Sequence, residues 1–533
     1  MNLKTNSDRI LPFDRAEILG GKKNIRERGM SSCNLFRKEP SSFASMNLIP
    51  PQIQPCARSI FAAMACCVIN TGCATKPLQP IRVSDNGHYF IKTDGTLFFW
   101  QADTAWDIFN HATPADVDAY LSDRKAKGFN VIQGVIALWD YTRHTNWDGQ
   151  LPFVNRDLGQ MNMAYYTNVD SILDKVQAHG MYMAVLPYWH KNAGDRLATN
   201  GIPQKMQAYC MFLAQRYASR NIFWILGGDS TADGEAGEKI QHITDLEAEG
   251  LIEGAKAAGV DKIMISYHPT GEQSSSFWFH DRPWLDFNSI QSGHFINTIN
   301  FQLVGDDYAK TPVKPTLDME PGYENITDRL SGAPDARLLQ AVDVRRSAYL
   351  DVFAGAAGLT YGQGEVYGFN VGGRVITRWG TAMSWKEALK LPASGQVQYI
   401  RRLIESRPML ERIPDQSLIV GDVSNRAVER IEVMRGADGS YAFVYLPSGK
   451  TNVTINTGKL SGNELVAWWF DPRTGKAKMT GSFAKSDTQE FTTPSGGTND
   501  DWVLVLDDAA KKYPAPGKPK SFIAAKGRGI QPD

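Results

Sequence analysis

The chain has 533 residues, 42% hydrophobic and 21% charged, which is enough apolar material for a packed core and for roughly two to four domains. Its 57 basic and 57 acidic side chains cancel, which removes the electrostatic footprint of a nucleic-acid binder. No apolar run reaches the roughly 18 to 20 residues a membrane-spanning helix needs.

Five of the six cysteines, Cys33, Cys56, Cys66, Cys67 and Cys73, crowd the N-terminal part, and only Cys210 lies beyond. One thiol builds neither a disulfide framework nor a zinc site, so Cys210 reads as a small buried hydrophobe and no metal or other cofactor is expected. The stretch "ARSIFAAMACCVINTGCAT" places Arg58 before a short apolar segment, small residues and Cys73, the layout of an export signal. It resembles a bacterial lipoprotein signal in which the cysteine after Gly72 is acylated, although Asn70 stands where leucine is usual. Residues 1–79 are therefore expected to be an N-terminal extension carrying a signal over about 46–73, with Met46 a better start than Met1. The mature protein is expected outside the cytoplasm, lipid-anchored through Cys73 or else periplasmic or secreted.

From about Ile81 strand-like apolar runs alternate with amphipathic helical stretches. The runs are "LFFWQADTAW", "NVIQGVIALW", "YMAVLPYW", "NIFWILGGD", "KIMISYHP", "FNSIQSGH", "VKPTLDMEP" and "GLTYGQGEV". Between the first two, "TPADVDAYLSDRKAKG" has a capping Thr113, Pro114 at the helix start and a terminating Gly128. After the second, Val169, Ile172, Leu173 and Val176 recur at helical spacing. Eight such alternations predict a (β/α)8 TIM barrel over 80–413, because parallel strands need helical crossovers. An open doubly wound sheet is the alternative, but no glycine-rich phosphate fingerprint follows the first strand. After Pro414 short alternating strands with turns about every ten residues predict a small antiparallel β-sandwich over 414–510. The tail, 511–533, rich in Pro, Lys and Gly, is expected to be disordered.

Barrel chemistry sits at the C-terminal ends of the strands. There the fourth run ends on Asp229 after two glycines, and the seventh carries Asp318 and Glu320, two residues apart and so expected on one face with Met319 on the other. Two carboxylates across a barrel mouth suit glycoside hydrolysis, one protonating the leaving oxygen and one attacking or activating water. Asp229 could equally cap a turn, and Glu320 could form a salt bridge at a strand end. Aromatic side chains collect at the same rim, and Trp106, Trp139, Tyr188 and Tyr361 are taken as candidate sugar platforms. His190, His268 and His294 also fall at strand ends. They lack metal-ligand spacing, so hydrogen bonding to substrate or to Glu320, or a structural role, is expected of them. Asp103 is the corresponding candidate on the first strand.

The motifs "FWQADTAWDIF", "ILGGDST", "LDMEPGYE" and "GLTYGQGEVYGF", followed by "WWFDPRTG", resemble the apiosidase-like glycoside hydrolases, family 140, over residues 80–508. The resemblance implies a retaining barrel enzyme with Asp229 as acid/base and Glu320 as nucleophile. It also implies cleavage at apiose in the pectin rhamnogalacturonan II, a plant cell-wall polysaccharide, and a sandwich of the collagen-binding type. Its clan usually has Asn-Glu on the fourth strand, where this chain has Gly228 and Asp229. For that chemistry Asp229 must stay protonated near neutral pH. Arg143, His144, Lys191 and Arg196 are candidate contacts for uronate carboxylates. Another pentoside or hexoside specificity, and a non-catalytic glycan- or collagen-binding surface protein, are the alternatives.

Overall fold

A computed structural model describes residues 78–138, 145–191, 201–328, 336–372 and 381–518. The signal segment, Trp139, Arg143, His144 and Arg196 lie outside them. No helix among the described residues is long and apolar enough to cross a membrane.

The eight apolar runs become eight strands: β1 (Trp100–Thr104), β2 (Val131–Ala137), β3 (Tyr182–Tyr188), β4 (Phe223–Ser230), β5 (Met264–Pro269), β6 (Asn288–Gln291), β7 (Thr316–Asp318) and β8 (Gly358–Tyr361). Parallel ladders join β8 to β1 and run on through β5 in chain order, and β6 pairs with β7. At the two seams the ladder thins to a few isolated bonds. Asp286 N–H donates to Ile265 O at 2.9 Å and Ser266 Oγ to Phe287 O at 2.6 Å, while Ala357 N–H donates to Thr316 O at 2.9 Å. The result is a curled parallel sheet of the (β/α)8 type.

The helices α1 (Pro114–Ala126), α2 (Met163–Ala178), α3 (Ile202–Tyr217), α4 (Gly234–Ala257), α5 (Asn300–Tyr308) and α6 (Ala341–Phe353) cover the outside. In α1, Thr113 accepts from Asp116 N–H and Asp116 returns the bond, the reciprocal cap expected from the sequence. Cys210 lies on α3, fully buried, and burial pushes its thiol pKa up.

Alternate strand residues divide between two cores. Trp100, Ala102, Val131, Val135, Ala184, Leu186, Phe223, Ile225, Leu317 and Met319 fill the barrel interior, whereas Ile132, Ile136, Met183, Val185, Trp224 and Ile265 meet the helices. A three-stranded antiparallel unit, Ile81–Val83, Phe90–Lys92 and Leu97–Phe98, precedes β1. Phe90 and Phe98 pack edge-on against Phe223, Phe287 and Tyr182 at the starts of the strands, closing the end opposite the chemistry.

The C-terminal region has strands β9 (Arg412–Pro414), β10 (Glu432–Gly436), β11 (Tyr441–Leu446), β12 (Asn452–Asn456), β13 (Glu464–Asp471), β14 (Lys476–Ala484), β15 (Thr488–Thr492) and β16 (Trp502–Asp508). Six form an antiparallel sheet in the order β9-β10-β11-β16-β13-β14, and β12 pairs with β15. Along β11 the alternation assigns partners. Ala442, Val444 and Leu446 pack with Val453 and Ile455 of the small sheet, while Phe443 and Tyr445 pack on Tyr349 and Phe353 of α6. The sandwich thus uses its second face to grip the barrel.

The expected disorder from Lys511 is corrected through Lys518. Tyr513 bonds Ser440 through its hydroxyl at 3.0 Å and lies under the Arg407 guanidinium, and Arg402 Nε donates to Gly517 O.

Candidate active site

The double glycine of β4 explains why an apolar strand ends on a carboxylate. Gly227, Gly228 and Asp229 have φ of 81°, 111° and 48°, and the pairing of β4 with β5 shifts between Gly227 and Ser230, so the strand bulges there. A Cβ on Gly227 would lie 2.6 Å from the Tyr267 ring, and one on Gly228 2.7 Å from the Trp189 indole. Only glycine allows both the turn and the close approach. Asp229, held in the left-handed region that non-glycine residues rarely adopt, is delivered to the mouth of the barrel at the cost of local strain.

Carboxylate oxygens of Asp229 and Glu320 and a ring nitrogen of His268 all lie within 4.8 Å of one another. Among the described residues this is the one set with metal-ligand spacing, yet the protein already supplies counter-charges to both acids. The Lys191 ammonium donates to Asp229 Oδ2, and Asp229 Oδ1 is buried without a hydrogen-bond partner. Glu320 faces two histidines, His268 Nε2 at 3.2 Å from Oε2 and His294 Nε2 at 3.4 Å from Oε1. Both contacts are loosely aligned, yet they are the interactions that favour the Glu320 charge.

The protonation of each ring follows from its other nitrogen. His294 Nδ1 accepts from Tyr323 N–H at 3.3 Å, which puts the proton on Nε2, toward Glu320. His268 Nδ1 lies 3.0 Å from Pro269 O and so carries a proton on that side, and its Nε2 faces the Glu320 carboxylate, which favours the imidazolium. Accordingly its pKa is raised: burial works against the charge, but the Glu320 contact outweighs it. For Glu320, burial alone would raise the pKa, and the bonds and charge of His268 and His294 bring it down to about 2. Glu320 is therefore an anion across the working pH range.

The surroundings are aromatic. Trp106 packs edge-on against Trp189 and His268, with centroids at 5.1 and 5.5 Å, and donates through Nε1 to Tyr323 Oη at 3.0 Å. The Tyr323 ring lies 4.5 Å from His294. Gln133 reaches inward from β2 to Thr104 Oγ1 and Met319 O, bracing the segment that carries Glu320.

Trp106, His268 and His294 thus join Asp229 and Glu320, as the sequence suggested, and four other candidates do not. Asp103 faces α1, where Tyr120 and Arg124 bond its carboxylate in full burial; burial raises its pKa despite the Arg124 charge. Tyr361 also faces outward and donates to Glu324 at 2.7 Å. On β3 the alternation slips after Leu186, so Tyr188 turns to the helices while Trp189 enters the barrel. His190 is buried against Glu247 of α4 at 2.9 Å. The Asp103 and Tyr361 corrections share one cause: both faces of a barrel strand are buried, and position at a strand end does not say which face a residue takes.

The expected common face for Asp318 and Glu320 also fails. β7 ends at Asp318, the chain bends, and Asp318 accepts from Ser292 N–H at 3.3 Å, Ser292 Oγ at 2.5 Å and Glu320 N–H at 3.2 Å. Burial raises its pKa to about 7 against those bonds, and the Glu320 charge adds to the rise. It supports the backbone of Glu320 while Glu320 alone faces the mouth. Gln133 escaped the sequence reading; an inward amide on an otherwise apolar strand was its only signal.

A barrel with two carboxylates converging at its mouth, one an anion held by two histidines, defines an O-glycosyl hydrolase. The comparisons agree and narrow the class. The model of the family described as "Apiosidase-like, catalytic domain" matches residues 84–411, and the chain belongs to that family. Residues 413–507 match the "Putative collagen-binding domain of a collagenase". The crystal structure of a glycoside hydrolase family 5 protein from Bacteroides vulgatus is 30% identical, with 84% of this chain and 97% of that chain covered and a TM-score of 0.74. A second solved structure, described as a glycoside hydrolase, is also 30% identical, with 82% and 98% covered and a TM-score of 0.71. No curated protein matches the chain.

Proposed function

We propose that the protein is a retaining apiosidase that removes apiose-linked side chains from rhamnogalacturonan II, with Glu320 as nucleophile and Asp229 as acid/base. The observation that carries the mechanism is that one carboxylate oxygen of Asp229 lies within 4.8 Å of one of Glu320, a convergence that suits the roughly 5 to 5.5 Å carboxyl separation of double displacement. Glu320, ionised and fixed by His268 and His294, attacks the anomeric carbon and forms a glycosyl ester as Asp229 gives its proton to the departing oxygen. Asp229 then takes a proton from water, which attacks the same carbon and frees Glu320. Trp106, Trp189 and Tyr323 exclude bulk water and offer apolar faces to the sugar.

Membership of the apiosidase-like family supports the choice of sugar, and the signal-like segment ending at Cys73 supports an exported, lipid-anchored enzyme acting on cell-wall fragments. Incubating the purified protein with rhamnogalacturonan II side-chain oligosaccharides and weighing the products tests the reading. Release of fragments that carry apiose at the new reducing end is expected. Intact oligosaccharides together with turnover of aryl hexosides would replace apiose by another specificity on the same machinery.

A further inference from the structure

We infer that the buried His190–Glu247 pair positions the acid/base: it anchors the segment after β3, and that segment holds the strained bulge that carries Asp229. The inference rests on the acid/base role proposed for Asp229. The mechanism itself uses neither His190 nor Glu247, whose side chains are buried together on the helix side of the barrel.

Three successive residues at positive φ, Gly227, Gly228 and Asp229, do not hold themselves in place. Backbone of this kind persists only where its surroundings over-determine it. On one side the ladder to β5 slips at the bulge. On the other, β3 and β4 pair regularly only at Ala184–Phe223 and Val185–Trp224, short of the bulge. Contact resumes past the end of β3. His190 N–H donates to Gly227 O at 3.1 Å and Lys191 N–H to Gly228 O at 3.0 Å, while the Trp189 indole packs against Gly228. These bonds place Asp229 only if the segment that makes them is itself fixed.

One end of it is fixed by Trp189 N–H, which donates to Ala137 O of β2 at 3.0 Å. The next residue is fixed by its side chain: His190 Nε2 donates to Glu247 Oε1 at 2.9 Å. His190 Nδ1 and Glu247 Oε2 are buried without a partner among the described residues, so this bond is the polar tie of the ring to α4. The helix is a firm post for it. A Cβ on Gly250 or Gly254 would collide with Gln207 O or Met211 O of α3, so the two helices lie in close contact at the level of Glu247. A buried carboxylate served by one hydrogen bond is a poor way to gain stability, and an apolar side chain would serve better there. What the pair supplies is location, passed from α4 through His190 to the peptide groups of the bulge and so to Asp229.

The test uses the full chain. Asp229→Asn, the paired substitution His190→Phe with Glu247→Leu, and Glu247→Gln are compared with wild type. The paired substitution removes the tie without stranding either polar group, so the fold should be kept, as thermal melting checks. The measurement is kcat/KM on aryl apiosides, or on aryl hexosides if those are what the protein turns over, with leaving groups from dinitrophenol to phenol. It reports the first step, in which a good leaving group departs without a proton and a poor one requires it. The paired variant is expected to lose about a hundredfold on the phenyl glycoside, the scale of a misplaced catalytic group, and to stay close to wild type on the dinitrophenyl one. Asp229→Asn should show the same leaving-group dependence more steeply. Glu247→Gln keeps an acceptor oxygen for His190 and should restore most of the phenyl activity. Wild-type rates in the paired variant, an equal loss on both glycosides, or a Glu247→Gln loss as large as that of the paired variant overturns the inference. An Asp229→Asn protein that falls alike on both glycosides overturns the acid/base reading and the inference with it. A steep dependence in Asp229→Asn that the paired variant does not share overturns the inference alone.

Discussion

The barrel mouth and the seam between barrel and sandwich both bury charge, but they treat it in opposite ways. At the seam Arg407 makes two bonds to Asp507, at 2.7 and 2.6 Å, and Arg345 grips Asp501 and Gln396. The seam also stacks Tyr349 on Tyr445 with the rings 4.8 Å apart. At the mouth, Asp229 Oδ1, Glu320 Oε2, His268 Nε2 and Trp189 Nε1 are buried without a hydrogen-bond partner. Paired buried charge holds two domains together, whereas incompletely paired buried charge is a surface waiting for substrate.

Substitutions can break or sharpen that contrast. Glu320→Gln is expected to lower kcat/KM about a thousandfold or more, because a neutral amide cannot form the ester. Thermal melting of this variant should be near that of wild type; a large loss of stability would mean that Glu320 is a structural anion. Arg407→Ala should do the reverse. Stranding buried Asp507 costs about 3 to 5 kcal/mol, seen in denaturant unfolding, while kcat/KM per folded molecule stays unchanged.

His268→Gln tests the electrostatics of the mouth. His268 helps hold Glu320 near 2, so removing it moves the acidic limb of the kcat/KM profile to higher pH. The contact also has a stability signature. Seen from Glu320, whose pKa is depressed from 4.5, it is full above 4.5 and lost as pH falls toward 2. Seen from His268, whose pKa is raised, it is full below 6.5 and fades as pH climbs through the raised value. Wild type should therefore gain over His268→Gln most between those limits, as melting against pH would show. The smallest effect belongs to Tyr361→Phe, which removes one bond to Glu324 and should cost about 1 to 2 kcal/mol of stability. A rise in KM instead would return Tyr361 to the sugar site.

The strands were legible because parallel strands buried on both faces leave continuous apolar runs, and each of the eight became a strand. Glu320 and Asp229 were legible from their places at the ends of those runs. The same double burial hid which side faces the barrel axis, so Asp103 and Tyr361 read like Trp106 although they point the other way. On β3 the slip after Leu186, which exchanges Tyr188 for Trp189, follows from backbone geometry that spacing does not encode. The Asp229–Lys191 pair joins residues 38 apart in sequence, brought together by the bulge, and the two glycines were its only trace.

The most direct measurement of the central claim is intact and peptide mass analysis of the Asp229→Asn protein during turnover of an aryl glycoside with a good leaving group. Without its general base the second step slows, and the account predicts a covalent sugar adduct carried by Glu320. Release of the sugar with inverted anomeric configuration and no adduct, or an adduct on another residue, would contradict it.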